Sequence, residues 1–286
     1  MRPLLSLYSV SSCSKKEFSK RNLVEMKTCH CPLVRQSAVV LGVLLSIALP
    51  LPLTAAEPSV APPTVFMIGD STMANKPLRP PNPERGWGQM LQSYFKDGVR
   101  IDNCAVNGRS SKSFRDEDRW AAVREQIKPG DYVIIQFGHN DEKRQDPKRF
   151  TEPFGEFKKN LELYVRETRV HKGLPILATP VVRRKFDGEG KLQDTHGDYT
   201  RAIRQVAEEQ KVPLLDMEKR SAELVQQLGP EASKKLYKWI APGEYANPAE
   251  GFQDDTHFNA YGASRMCDLA IADLRDTAPD LAKWLK

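Results

Sequence analysis

The chain has 286 residues, 40% of them hydrophobic and 28% charged, with 8% aromatic, 17 Gly and 21 Pro. That balance belongs to an ordinary globular protein and excludes collagen-like, low-complexity and disulfide-scaffold classes. The formal charge of +6 sits at the start: residues 1–56 hold seven Lys or Arg against two Glu, leaving 36 basic and 35 acidic side chains, a net of +1. A body this close to neutral is not built for general binding of nucleic acid or of an anionic membrane.

The first element is a leader. Lys27 and Arg35 precede an uncharged stretch from Ser37 to Ala56. Its mainly apolar part, Ala38 to Leu49, is shorter than the roughly 20 residues of a spanning helix. Pro50 and Pro52 break it, and Thr54-Ala55-Ala56 offers small residues for cleavage. Residues 1–56 therefore read as a secretory signal region cleaved near Ala56, with export to the periplasm or beyond and no stable membrane association afterwards. An uncleaved anchor is the alternative. Residues 1–25 fit no part of such a signal, whereas Met26 begins a compact one and is a candidate true start. Cys29 and Cys31 precede the apolar run, which disfavours a lipoprotein. Only Cys104 and Cys267 follow the leader; one disulfide or two free thiols are both compatible with them, and neither has metal-site spacing.

Glu57 to Pro63 is a proline-rich linker, and a single domain is expected over residues 64–286. Val65 to Ile68, Val133 to Ile135 and Leu174 to Val182 are continuous apolar runs, the mark of strands buried on both faces. Ile101 to Val106 and Val212 to Met217 are shorter versions. Between them lie helical patterns at Trp87 to Lys96, Trp120 to Ile127, Phe154 to Val170 and Tyr199 to Gln210. Ser221 to Leu228 adds a short helix with Ser221 as N-cap and Gly229-Pro230 as its stop, and Ala260 to Arg275 closes the fold. Strands alternating with helices predict a three-layer α/β/α sandwich around a five-stranded parallel sheet. In such sheets the reactive groups lie in loops after the carboxyl ends of strands.

Three such loops carry unusual side chains: Gly69-Asp70-Ser71-Thr72, Asn103 to Ser111, and Gly138-His139-Asn140-Asp141. A fourth segment reads Asp254-Asp255-Thr256-His257-Phe258. Singly these are weak signals, since Asp or Ser caps helices and Asn sits in turns. A phosphate loop is disfavoured because neither glycine-rich nucleotide motif is present. A metal site would have to draw on Asp254, Asp255, His257 and the distant His139 or His196. Trp87 and Trp120 could stack on sugars, but their apolar neighbours place them in the core.

In this order the four blocks resemble the signatures of the SGNH (GDSL-type) hydrolase superfamily. Asn107-Gly108-Arg109-Ser110-Ser111, Gln136 to Asp141, Thr179-Pro180-Val181, Asp194 to Tyr199 and Asp255 to Phe258 resemble its rhamnogalacturonan acetylesterase branch. The resemblance implies a flavodoxin-like sheet and a secreted serine esterase that removes O-acetyl groups from pectic polysaccharide without a cofactor. It implies Ser71 as nucleophile, His257 as base and Asp254 as the acid orienting it, with Asp255 as rival for that last role. It implies an oxyanion hole of the Ser71 and Gly108 backbone N–H groups and the Asn140 side chain. His139 either faces the substrate or packs. The basic Arg183-Arg184-Lys185 segment either meets a uronic-acid polymer or is merely solvated. The rival readings are a lipolytic or thioester hydrolase on the same scaffold, an acetylesterase acting on xylan or another glycan, a non-catalytic glycan-binding domain and a metal-dependent phosphoesterase. The sequence leaves the oligomeric state and the acetylated hydroxyl open.

Overall fold

The computed structural model describes residues 61–79, 82–244 and 250–286. The leader, Met26 and linker residues 57–60 lie outside the described residues. The elements run β1 (Thr64–Gly69), β2 (Glu84–Arg85), α1 (Trp87–Met90), β3 (Arg100–Asn103), α2 (Ser111–Asp116), α3 (Arg119–Arg124), β4 (Tyr132–Gln136), α4 (Lys158–Val170) and β5 (Leu174–Ala178). They continue with α5 (Asp198–Gln210), β6 (Leu214–Leu215), α6 (Met217–Ala232), β7 (Tyr237–Ile240), β8 (Phe252–Asn259), α7 (Ala260–Thr277) and α8 (Pro279–Ala282).

Five strands form a sheet in the order β3-β1-β4-β5-β6, and every pairing in it is parallel. This is the flavodoxin-like order, and its central strands are apolar on both sides because helices cover both faces. Val65, Met67, Ile134 and Ile176 pack on one face with Trp87, Met217, Val225 and the inner side of α7. Phe66, Ile68, Val133, Ile135 and Leu177 pack on the other with Phe114, Trp120, Leu161, Tyr164 and Ile203. Trp87 and Trp120 are core residues, at 0% and 2% exposure.

Several boundaries differ from the sequence reading. The stretch after Trp87 is one turn of α-helix followed by a 3-10 turn over Leu91–Tyr94. Helix α6 begins at Met217, and Ser221 lies inside it: its hydroxyl donates to the Met217 carbonyl at 2.6 Å and accepts the Val182 N–H at 3.0 Å, so it ties the strand-5 loop to the helix rather than capping. At Gly229 the backbone leaves helical geometry (φ 71°, ψ 179°), where the predicted stop stood. A second sheet, in the order β2-β8-β7, was not foreseen. Its strands are short or strongly polar and lack the continuous apolar runs by which buried strands are recognised.

Candidate active site

Strands β3, β1 and β4 are neighbours, so the loops leaving their carboxyl ends converge on one spot. After β1 the chain turns at once: the N–H groups of Met73 and Ala74 both bond back to the Asp70 carbonyl, at 3.2 and 3.0 Å. The Asp70 side chain tightens this turn by accepting from Thr72 N and Thr72 Oγ1 at 2.9 and 2.8 Å. Gln136 at the end of β4 donates to Thr72 Oγ1 at 2.8 Å and accepts from the Trp87 indole at 2.7 Å. Ser71 is thereby held at the tip of a braced turn. Its glycine neighbour is required by space, since a Cβ on Gly69 would stand 2.7 Å from the Gln136 carbonyl.

The partner of Ser71 comes from the small sheet. In a regular strand residues three apart face opposite sides. Here β8 is irregular: Tyr237 pairs with Phe258 but Lys238 pairs with Asp254, so the residues between Asp254 and Phe258 bulge. Asp254 Oδ1 closes that bulge by accepting the N–H groups of Thr256 and His257 at 2.8 and 2.9 Å. The turn brings Asp254 Oδ2 to 2.8 Å from His257 Nδ1, and His257 Nε2 lies 2.8 Å from Ser71 Oγ. The network assigns the tautomer: Nδ1–H donates to Asp254, and the Ser71 hydroxyl donates to Nε2. Burial opposes the charge on Asp254, but the His257 side-chain and backbone bonds outweigh it and hold the carboxyl well below its usual range. Asp255, the rival, turns away: its Oδ1 accepts from Arg184 Nη1 at 2.6 Å and Trp239 Nε1 at 2.9 Å.

The other residues named from the sequence gather beside Ser71. Gly108 has φ +75°, a left-handed conformation that glycine adopts without strain. Among the described residues, neither the Ser71 N–H nor the Gly108 N–H is given to a protein acceptor. The Asn140 amide donates one hydrogen to the Arg109 carbonyl at 3.0 Å, leaving the other for a ligand, while its oxygen lies 3.5 Å from Arg149 Nη1. Asp141 ties the two loops together. Its carboxylate accepts from Ser111 N and Ser111 Oγ, from Thr151 Oγ1 and from Gly138 N. Burial is the dominant influence on it and, against those hydrogen bonds, pushes it up to about 7.

The sequence reading took Asp194 to Tyr199 as a block of the family resemblance, with His196 as a possible metal ligand, and the structure gives the segment a packing role. His196 bonds through Nδ1 to Glu142 and through Nε2 to the Val181 carbonyl at 2.9 Å. The Tyr199 hydroxyl sits 3.0 and 2.6 Å from the carbonyls of Asp141 and Thr151. Both prop the Asn140 loop from behind. His139 packs, 4% exposed, edge-on to His196 with ring centroids 4.6 Å apart. Burial holds its imidazole neutral, far below the ordinary value. The basic segment after β5 is mostly internal: Arg183 pairs with Glu142 at 2.9 Å, and the buried Arg184 spans Asp255, Ser233 and the Pro230 carbonyl. Only Lys185 of the three is exposed. Cys104 and Cys267 are free thiols. Among the described residues no three His, Cys, Asp or Glu side chains converge as ligands of one ion.

This arrangement can activate a hydroxyl as a nucleophile and stabilise an oxyanion beside it. Residues 67–265 match the GDSL-like lipase/acylhydrolase family. Over 212 residues the chain is 38% identical to the rhamnogalacturonan acetylesterase RhgT of Bacillus subtilis, covering 74% of this chain and 89% of that protein. It is 34% identical to the probable rhamnogalacturonan acetylesterase YesY of the same organism, covering 74% and 92%. The crystal structure of Bacillus subtilis YxiM superposes with a TM-score of 0.64 at 30% identity, over 76% of this chain and 57% of that one. The chain thus belongs to the GDSL-like lipase/acylhydrolase family and is a carboxylic ester hydrolase.

Proposed function

We propose that the protein is an exported acetylesterase that removes O-acetyl groups from pectic rhamnogalacturonan. The observation that carries the chemistry is the unbroken chain Ser71 Oγ, His257 Nε2, His257 Nδ1, Asp254 Oδ2, with both links at 2.8 Å. The polysaccharide is supported by the relatives RhgT and YesY, and export by the leader pattern.

In the first half-reaction Ser71 Oγ attacks the acetyl carbonyl carbon and its proton passes to His257 Nε2. Asp254 stabilises the resulting imidazolium and keeps its orientation. The oxyanion is received by the Ser71 and Gly108 N–H groups and the free Asn140 amide hydrogen. Collapse breaks the bond to the sugar oxygen, which leaves with the proton from His257. In the second half-reaction water attacks the acetyl-serine, His257 takes the water proton, and acetate departs as that proton returns to Ser71 Oγ.

The test is acetate release from acetylated rhamnogalacturonan, with acetylated xylan alongside and Ser71→Ala as control. Release from the pectic polymer, reduced by at least about 10⁴ in the variant, is expected. Release from xylan alone would overturn the substrate, and an undiminished Ser71→Ala variant would overturn the mechanism.

A further inference from the structure

A row of four alternating charges runs from the loop that carries Gly108 to the acid that orients His257. It starts at Lys76, whose side chain is 2% exposed. Its ammonium donates to Asn107 Oδ1 at 2.5 Å and pairs with Glu84 Oε1 at 2.7 Å. The Lys76 backbone is pinned as well, its N–H and carbonyl both bonded to the Gln89 amide at 3.0 and 3.1 Å. Glu84, on β2, offers its second oxygen to Lys238 on β7 at 2.8 Å. Lys238 in turn lies 3.6 Å from Asp254 Oδ2, the oxygen that holds His257. The Phe252 ring lies 4.6 Å from the Lys238 ammonium.

Two cations and two anions alternate here, so the row is neutral as a whole while each member acts on its neighbour. We propose that Lys76, Glu84 and Lys238 are positioning residues of the esterase site, with Lys238 and Glu84 setting the basicity of His257 through Asp254 and Lys76 fixing the Asn107-Gly108 turn. The inference rests on the reading of Ser71, His257 and Asp254 as the catalytic triad.

The physical argument fixes opposite signs for two members. A cation beside Asp254 competes with the imidazolium for the same carboxylate oxygen, so Lys238 disfavours protonation of His257. Glu84 partly neutralises Lys238 and lies within electrostatic reach of His257, so it favours protonation. Asp70 after β1 and His139 after β4 also lie within electrostatic reach of this imidazole. Burial raises the first carboxyl and keeps the second ring neutral, and neither changes in the variants below.

The experiment follows the His257 ring proton by NMR as a function of pH in the full chain, without substrate, beside the pH dependence of kcat/KM on 4-nitrophenyl acetate. In Lys238→Met the titration and the acid limb move to higher pH, by about half a unit or more. In Glu84→Gln both move to lower pH. Lys238→Arg keeps the charge and restores the wild-type position. Lys76→Met lowers kcat with little change in KM and moves the titration in the same direction as Lys238→Met but by less, because Glu84 and Lys238 stand between it and Asp254; an unchanged kcat overturns its part. Lys238→Gln serves as a second neutral variant should Lys238→Met fail to fold. Titrations that stay in place, or that move the same way in Lys238→Met and Glu84→Gln, overturn the proposal. The NMR arm needs no turnover, so an absence of esterase activity would count against the proposed function and leave this inference to be decided on the titration.

Discussion

Replacing Asp254 by Asn preserves the shape of the side chain and removes its charge, and the structure dictates how the amide must sit. Two backbone N–H groups, at 2.8 and 2.9 Å, require an oxygen at the Oδ1 position. Each such bond is worth about 1 kcal/mol, and leaving either donor unpaired costs more. Lys238 would draw the amide oxygen the other way, but at 3.6 Å from Oδ2 it lies beyond good hydrogen-bond range. The oxygen therefore stays at Oδ1, and the NH₂ group faces His257 Nδ1. That nitrogen must then accept, which moves the ring proton to Nε2, where it blocks transfer from Ser71. A loss of about 10⁴ in kcat/KM is expected, equivalent to about 5.5 kcal/mol of barrier. Asp254→Ala imposes no tautomer and should retain about tenfold more activity than the Asn variant. Both are assayed on 4-nitrophenyl acetate at pH 7 to 8, with thermal denaturation to show that the variants are folded. An Asn variant as active as the Ala variant, or within about tenfold of wild type, would refute the tautomer argument.

Gly108→Ala forces a side chain into the left-handed region at a cost of about 1–2 kcal/mol; its nearest neighbour would be Arg149 Nη1 at 3.8 Å, so strain rather than collision acts. Displacing that N–H should lower kcat about 10- to 100-fold with KM little changed, and an unaltered kcat would remove Gly108 from the oxyanion site. Because Asp141 is raised to about 7, the folded chain holds a proton that the unfolded chain has released above about pH 4. Its stabilising contribution is full below that pH and declines as pH rises towards 7. The melting-temperature advantage of wild type over Asp141→Asn should shrink across that window, and growth instead would mean that the buried carboxylate is ionised. In helix α7, a Cβ on Gly262 would stand 1.8 Å from the Leu236 carbonyl oxygen. Gly262→Ala should therefore cost about 3 kcal/mol or more in urea denaturation, and a loss below about 1 kcal/mol would show that the backbone yields there.

The sequence by itself determined the parallel sheet and the loops in which the candidate site lies. Strands β1, β4 and β5 are buried on both faces, so burial demands unbroken apolar runs such as Val65 to Ile68, and such runs are visible without a structure. Ser71, Gly108 and Asn140 were visible as members of loops that follow buried strands, where reactive groups gather, but their roles came from the family resemblance and not from the residues alone. Asp254 and His257 were legible as an i, i+3 pair, yet the choice between Asp254 and Asp255 rested on family pattern. Only the bulge in β8 gives the physical reason, by turning one carboxylate onto the imidazole and the other onto Arg184 and Trp239.

What the tertiary structure alone decided is long-range and polar. Lys238 and Glu84 are separated by 154 positions, and their neighbours carry no periodic apolar signal. The small sheet they belong to has two short strands and one longer polar one, so no local rule announces it. The same holds for His196 with Glu142 and for Arg184, which composition alone presents as solvated charge. A hydrophobic core is specified by local pattern because burial acts on every residue of a strand alike. An ionic row is specified only by which strands the fold lays side by side, and that is a property of the whole chain.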